Sequence, residues 1–200
     1  MVLIEAIGMR QRILREATRL FTHNGYNAVS MREIAEACGI TKAALYYHFK
    51  DKQDLFNDIL SEYLDRMDRL IDECRAGSQT TRGQLTAFVR AVFIQPAEQR
   101  AIIRLASQEM PKLSPEFRAR FGQQYHAQFI GRLAGMMDEG IHSGELKPAH
   151  GQLAAWVLLG MMVPFFYPEE DRPANLDQAI ELILTVFFEG MTRHDGFKPN

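Results

Sequence analysis

A chain of 200 residues, 46% hydrophobic and 24% charged with a formal charge of -2, can bury a full core in one or two compact domains. It has no apolar run of about 18 residues and so no expected membrane-spanning helix. Glu5 interrupts its apolar start and no basic segment precedes it, which argues against a secretion signal and for a cytoplasmic protein. The two cysteines, Cys38 and Cys74, lack a second Cys or His at ligand spacing and read as reduced, buried thiols rather than a zinc or redox site.

The first element is a helix whose Ile13, Leu14, Ala17, Leu20 and Phe21 make one apolar stripe, closed by an Asn24-Gly25 turn. Next comes SMREIAEACGITKAALYYHFKDKQDLF, Ser30 to Phe56. Ser30 and Glu33 have the spacing of a capping box, each side chain reaching the other's backbone N-H. Ile34, Ala35 and Cys38 share a face, and Gly39 supplies the left-handed residue that ends the helix. Thr41 then caps a second helix of about two turns, Lys42 to His48. This is helix-turn-helix spacing. Leu45 and Phe49, four apart, look inward, leaving Lys42, Ala43, Ala44, Tyr46, Tyr47 and His48 outward. Two adjacent tyrosines are an expensive solvated face but a good phosphate clamp. Lys42 can donate to guanine, and the small Ala43 and Ala44 can approach base edges and touch a thymine methyl. A plain αα-hairpin packed on a partner helix is the alternative, and it leaves that outward chemistry unexplained.

Ser30 to Phe56 resembles the DNA-binding signature of the tetracycline-repressor (TetR) family of bacterial one-component regulators. The resemblance implies that Arg32, Thr41, Lys42, Ala43, Ala44, Tyr46, Tyr47 and His48 face DNA and that Lys52 touches phosphate. Asp51 supports that last role, because it caps a helix whose free N-H groups attract an anion. Many members of the family carry Gly-Thr where this chain has Ala43-Ala44. The change removes a hydroxyl and shifts base reading toward Lys42, Tyr46, Arg32 and methyl contacts. Charge agrees: residues 1–52 hold eight Lys/Arg against five acids, a net +3, so the rest of the chain carries -5. A basic head on an acidic body orients the encounter with DNA.

The apolar stripe from Leu55 to Cys74 belongs to a long amphipathic helix of about 24 residues and about 36 Å, growing from Asp51 and expected to join head to body. Its acidic outer face, from Asp54 to Glu73, reads as solvated rather than as a metal site, having no interleaved histidine. Ala76 to Gly83 is a loop. Helices follow near Leu85 to Ile94 and Ala97 to Glu109, and Ser114-Pro115 opens another. Phe117, Phe121, Tyr125, Phe129, Leu133, Met137 and Ile141 then recur every fourth residue. On one α-helix that stripe drifts about 40° per step, which predicts a central helix touching different neighbours along its length. Gly144 ends it. Two more helices, near His150 to Phe166 and Leu176 to Met191, complete an all-α chain of about nine helices. The last is apolar on nearly all sides, so a second subunit is its natural cover.

The expected organisation is a helix-turn-helix DNA-binding domain at 1–52 and a ligand-binding and dimerisation domain at 53–200. The chain would act as a homodimer joined through a four-helix bundle from the last two helices of each subunit, as the family is. It would read a pseudo-palindromic double-stranded operator at major grooves about 34 to 36 Å apart. Most aromatic and methionine residues of the body read as core. The resemblance implies an effector cavity there, lined by Tyr63, Met67, Phe88, Phe121, Tyr125 and Trp156, with Arg104, Gln124 and Gln128 as polar contacts. The expected effector is small and mainly apolar, with repression relieved on binding. No cofactor or metal is expected: Asp138 and His142 are too few ligands. Catalysis lacks its parts, with no nucleophile elbow, phosphate-binding glycine loop or His-Glu-x-x-His. An all-α ligand-binding or interaction protein without DNA function is the remaining alternative.

Overall fold

The computed structural model describes residues 2–166 and 175–191. In chain order the helices are α1 (Val2–Asn24), α2 (Met31–Ala37), α3 (Lys42–His48), α4 (Lys52–Gly77), α5 (Thr81–Phe93), α6 (Ala97–Glu109), α7 (Pro115–Tyr125), α8 (Gly131–Ser143), α9 (Gly151–Met162) and α10 (Leu176–Met191). A π turn, His126–Ile130, carries α7 straight into α8, so the described residues hold nine continuous helices and no strand, as expected of an all-α chain. Of the domain expected at 53–200, residues 167–174 and 192–200 lie outside the described residues. Contacts divide the chain into two compact units, Met1–Tyr63 with Ala97–Arg118, and Leu64–Pro96 with Ala119–Asn200. Compactness thus groups α6 with the helix-turn-helix and cuts α4 after Tyr63, which differs from the division at residue 52 drawn on motif.

In the first unit, Ile13, Ala17, Phe21, Ile34, Cys38, Leu45, Leu55 and Phe56 are wholly buried. Phe21, Tyr26 and Phe56 meet as a three-ring cluster with centroids 5.2, 6.0 and 4.9 Å apart. Each such ring contributes about 1.5–3 kcal/mol through burial alone. The short helices α2 and α3 cannot stand on propensity and depend on this core and on their caps. The Ser30 box is closed in both directions, Glu33 N-H to Ser30 Oγ at 3.2 Å and Ser30 N-H to Glu33 Oε2 at 2.7 Å. The Ser30 hydroxyl, which donates to Glu33 Oε2 at 2.7 Å, and the Ser30 N-H together hold the Glu33 carboxyl below its ordinary pKa. At the other end of α2, Gly39 (φ 62°) lets Ile40 N-H reach Ala35 O and Gly39 N-H reach Glu36 O, the paired bonds of a Schellman turn. Thr41 Oγ1 accepts from Ala44 N-H at 3.1 Å, which starts α3 at Lys42.

The second unit is held by close helix packing. Gly140 in α8 lies against Thr81 at the start of α5, where a Cβ would come within 2.7 Å of the threonine methyl. Gly151 lets the first turn of α9 meet Asp138 and the carbonyl of Ala134 on α8. Gly144 (φ 81°) ends α8 in the left-handed conformation, as its place in the sequence predicted. Lys147 then caps α10, its backbone N-H on Met191 O at 2.6 Å and its ammonium on Gly190 O at 3.0 Å. A cation there suits the negative end of the helix dipole. Arg132 joins α8 to α4 through Asp68 at 2.7 Å and through Asp72.

The stripe from Phe117 to Ile141 does not drift as a uniform α-helix would. Phe117, Phe121, Phe129, Leu133 and Met137 are all buried, with Tyr125 and Ile141 half-buried. The π turn accounts for this, because its wider ring takes one extra residue and rephases the helix by about 100°. Gly131 N-H donates to His126 O, five residues back. The every-fourth pattern therefore stays on the buried side.

Candidate nucleic-acid interface

Two residues fix α3 and free the rest. Leu45 and Phe49 are 0% and 1% exposed, whereas Tyr47 is 84% and Tyr46 43% exposed. Thr41, Lys42 and Ala43 are also exposed, and Ala44 and His48 half-buried. The outward set expected from sequence is thus presented to solvent apart from those two partial cases. Lys42 Nζ lies 5.7 Å over the Tyr46 ring, and the Tyr47 and His48 rings meet edge to face at 5.3 Å. Both pairs restrain long side chains before any ligand arrives. Arg32 is exposed on α2 and pairs with Glu36 at 2.7 Å, an i, i+4 bond that raises its pKa. Glu36 and a phosphate would compete for the same guanidinium.

Lys52 is more deeply engaged than the motif implies. Its ammonium donates to Tyr26 O at 3.0 Å and Val29 O at 2.9 Å and lies 4.5 Å over the Tyr26 ring. Burial pulls its pKa down, against the fields of Glu109 and Glu33. Two of its three donors hold the loop before α2, leaving one for a phosphate. Tyr26 itself is pushed up to about 12, by burial first and then by Asp51 and Glu109. Asp51 caps α4 as expected, accepting from Asp54 N-H at 2.8 Å, while Asp54 accepts from Lys50 N-H at 3.1 Å.

Two residues that hold this face had no sequence signal. Arg10 on α1 pairs with Asp58 on α4 and lies 5.1 Å over the Phe49 ring, so it clamps the end of α3. Glu109, at the end of α6, accepts from Asn27 Nδ2 at 3.3 Å. Their separations of 48 and 82 residues put them beyond any periodicity or capping rule. Arg104, read as an effector contact, donates to Thr22 O at 3.4 Å in the last turn of α1.

The remaining effector candidates divide between the units. Tyr63 and Arg104 fall in the unit that holds the helix-turn-helix, the other seven in the second unit. There Phe121, Tyr125, Phe129 and Phe88 form a chain of rings with centroids 6.0, 5.5 and 6.1 Å apart. Burial pushes the Tyr125 phenol up to about 12, so it is a donor at any ordinary pH. Gln124 Nε2 donates to Gln128 Oε1 at 3.1 Å, and Met67 is buried. Trp156 touches Tyr125 at 6.0 Å yet is 46% exposed, on a face of α9 shared with Leu153 and Val157. Cys38 and Cys74 are buried, and burial raises both thiol pKa values, which keeps them protonated. Among the described residues no helix is long and apolar enough to cross a membrane.

Comparison with known proteins matches two stretches of the chain. Residues 13–59 match the family model described as bacterial regulatory proteins, tetR family, and residues 78–165 match the tetracyclin repressor-like C-terminal domain. The uncharacterized HTH-type transcriptional regulator YhgD of Bacillus subtilis is 25% identical over 173 residues, 86% of this chain and 90% of the relative. The HTH-type transcriptional regulator AcrR of Shigella flexneri is 53% identical over 55 residues, 28% of this chain and 26% of the relative. Among solved structures, AibR in complex with isovaleryl coenzyme A and operator DNA has a TM-score of 0.75 at 23% identity, covering 90% of this chain and 98% of that one.

Proposed function

Because the chain belongs to the tetR family of bacterial regulatory proteins, we propose that it is a ligand-responsive transcriptional repressor that reads a pseudo-palindromic operator as a homodimer. The observation that carries this is the reading helix: α3 is anchored by Leu45 and Phe49 and turns Lys42, Tyr46 and Tyr47 outward. Lys42 and Tyr46 read base edges, Ala43 and Ala44 contact thymine methyls, and Thr41, Tyr47, His48 and Arg32 hold phosphates, with one donor of Lys52. Residues 1–52 serve as the DNA-binding domain and 53–200 as the ligand-binding and dimerisation domain. The protein works by binding rather than by catalysis, in the cytoplasm where its DNA is.

A second copy covers the apolar face that one protomer leaves open. Leu153, Trp156 and Val157 on α9 and Leu182 and Val186 on α10 are between 46% and 63% exposed. Two such faces, one per subunit, bury each other in a bundle of α9 and α10. The effector is mainly apolar and contacts the rings of Phe88, Phe121 and Tyr125, with Gln124, Gln128 and the Tyr125 hydroxyl as polar partners. An acyl thioester is the first class to try, given the isovaleryl coenzyme A bound by AibR. Release follows if the effector binds better to the form whose recognition helices are wrongly spaced.

Selection of bound sequences from random DNA by the purified protein tests this reading. A pseudo-palindrome should be enriched, bound with an affinity that falls steeply as salt rises. Lys42→Ala should relax preference at one base of each half-site. Recovery of no palindrome at low salt would leave an all-α ligand-binding protein without DNA function.

A further inference from the structure

Glu109 is the one charged residue of the buried class among the described residues, 6% exposed. A buried carboxylate is a poor source of stability, since its desolvation offsets what its partners return. It is a good source of fixed geometry, and its partners show what it fixes. Oε2 accepts from Asn27 Nδ2 at 3.3 Å and Oε1 from Lys112 Nζ at 3.0 Å. Asn27 lies in the loop between α1 and α2, and that loop is gripped from two other sides. The Tyr26 ring is set among Phe21 and Phe56, and Lys52 holds the carbonyls of Tyr26 and Val29. Ser30, the next residue, begins α2, and the Schellman turn at Gly39 passes the orientation of α2 to α3. The end of α6 therefore touches the segment from which the placement of the recognition helix follows. Arg104, five residues earlier on α6, makes a second contact at Thr22 O.

We propose that Glu109 is a positioning residue for operator binding: through Asn27 its buried carboxylate sets the α1–α2 loop, and so the entry of α2 and the presentation of α3. This rests on the DNA-reading function proposed above. Glu109 does not touch DNA. It raises the share of molecules whose reading helix is correctly placed, and apparent affinity scales with that share.

The test uses the full chain and the sequence that the unaltered protein selects most strongly from random DNA. Glu109→Ala and Asn27→Ala should each lower operator affinity about tenfold, and the double variant no further than the weaker single, because both remove one contact. Base preference should stay as it was, since no reader is changed. Glu109→Gln keeps an acceptor for Asn27 and should retain most of the affinity, a rescue that loss of stability alone does not predict. Thermal melting of each variant shows that it is folded at the temperature of the binding assay. Unchanged operator affinity in Asn27→Ala, or losses that multiply in the double variant, would overturn the proposal. If Glu109→Ala does not fold, Asn27→Ala decides by itself. Failure of the unaltered protein to select any palindrome is a separate result, which removes the functional reading and this inference with it.

Discussion

The head and the body are stabilised by different means. Around α2 and α3 nearly every turn is fixed by a named hydrogen bond: the Ser30 box, the Gly39 turn, the Thr41 and Asp51 caps, and Lys52 on two carbonyls. Around α8, α9 and α10 the work is done by contact of apolar surface, with glycines at Gly140 and Gly151 where helices come closest. Ion pairs there, such as Arg75 with Glu139 and Arg90 with Glu181, are exposed and contribute little. The difference fits the tasks proposed for the two regions. A short reading helix must hold a fixed direction, which directional bonds give. A surface that takes another subunit and an effector must match shapes, which packing gives.

The largest expected effect breaks the body without touching the head. Placing Asp at both Val157 and Leu182 puts charge on the open apolar face of α9 and α10. Sedimentation should then show monomer, and operator affinity should fall by about 100-fold or more as the two heads lose their linkage. The helix content of the variant should be retained, because both side chains already face solvent in one protomer. Retention of a dimer would place the subunit contact elsewhere. Gly140→Ala tests the packing side of the comparison more gently. Its Cβ meets Thr81 within van der Waals distance, so denaturant melts should show a loss of ~1–3 kcal/mol from overpacking. An unchanged midpoint would mean that α5 and α8 can part at no cost. Ser30→Ala is the smallest, removing one cap in the head for about 1 kcal/mol. Because it loosens α2 directly, its effect on operator affinity should exceed that of Gly140→Ala although its effect on melting is smaller. The reverse order would erase the distinction between the two regions.

That contrast also explains what could be read in advance. Caps are local, so Ser30 with Glu33, Thr41, Asp51 and Gly144 disclose the helix ends directly, and α10 falls at Leu176–Met191 as its pattern required. The outward set on α3 was legible for the same reason, since Leu45 and Phe49 four apart define the inward side. Contacts distant in sequence were not legible. Nothing near Arg104 indicates Thr22, and nothing near Glu109 indicates Asn27, because the pairing depends on how α6 packs on α1. Lys52 shows the limit of a motif: its place beside a helix N-terminus was clear, but the two carbonyls it holds belong to a loop more than twenty residues earlier. The π turn was invisible because apolar spacing of four fits a drifting α-helix and a rephased one equally well.

The π turn has a consequence for how this chain is aligned with others. It is a one-residue insertion housed inside a helix, where insertions are rarely placed when sequences are matched. A relative with an unbroken α-helix here would match this chain only if a gap is opened between His126 and Gly131. Without the gap, every position from Leu133 to Ile141 would be paired with a neighbour about 100° around the helix, and buried positions would be compared with solvent-facing ones.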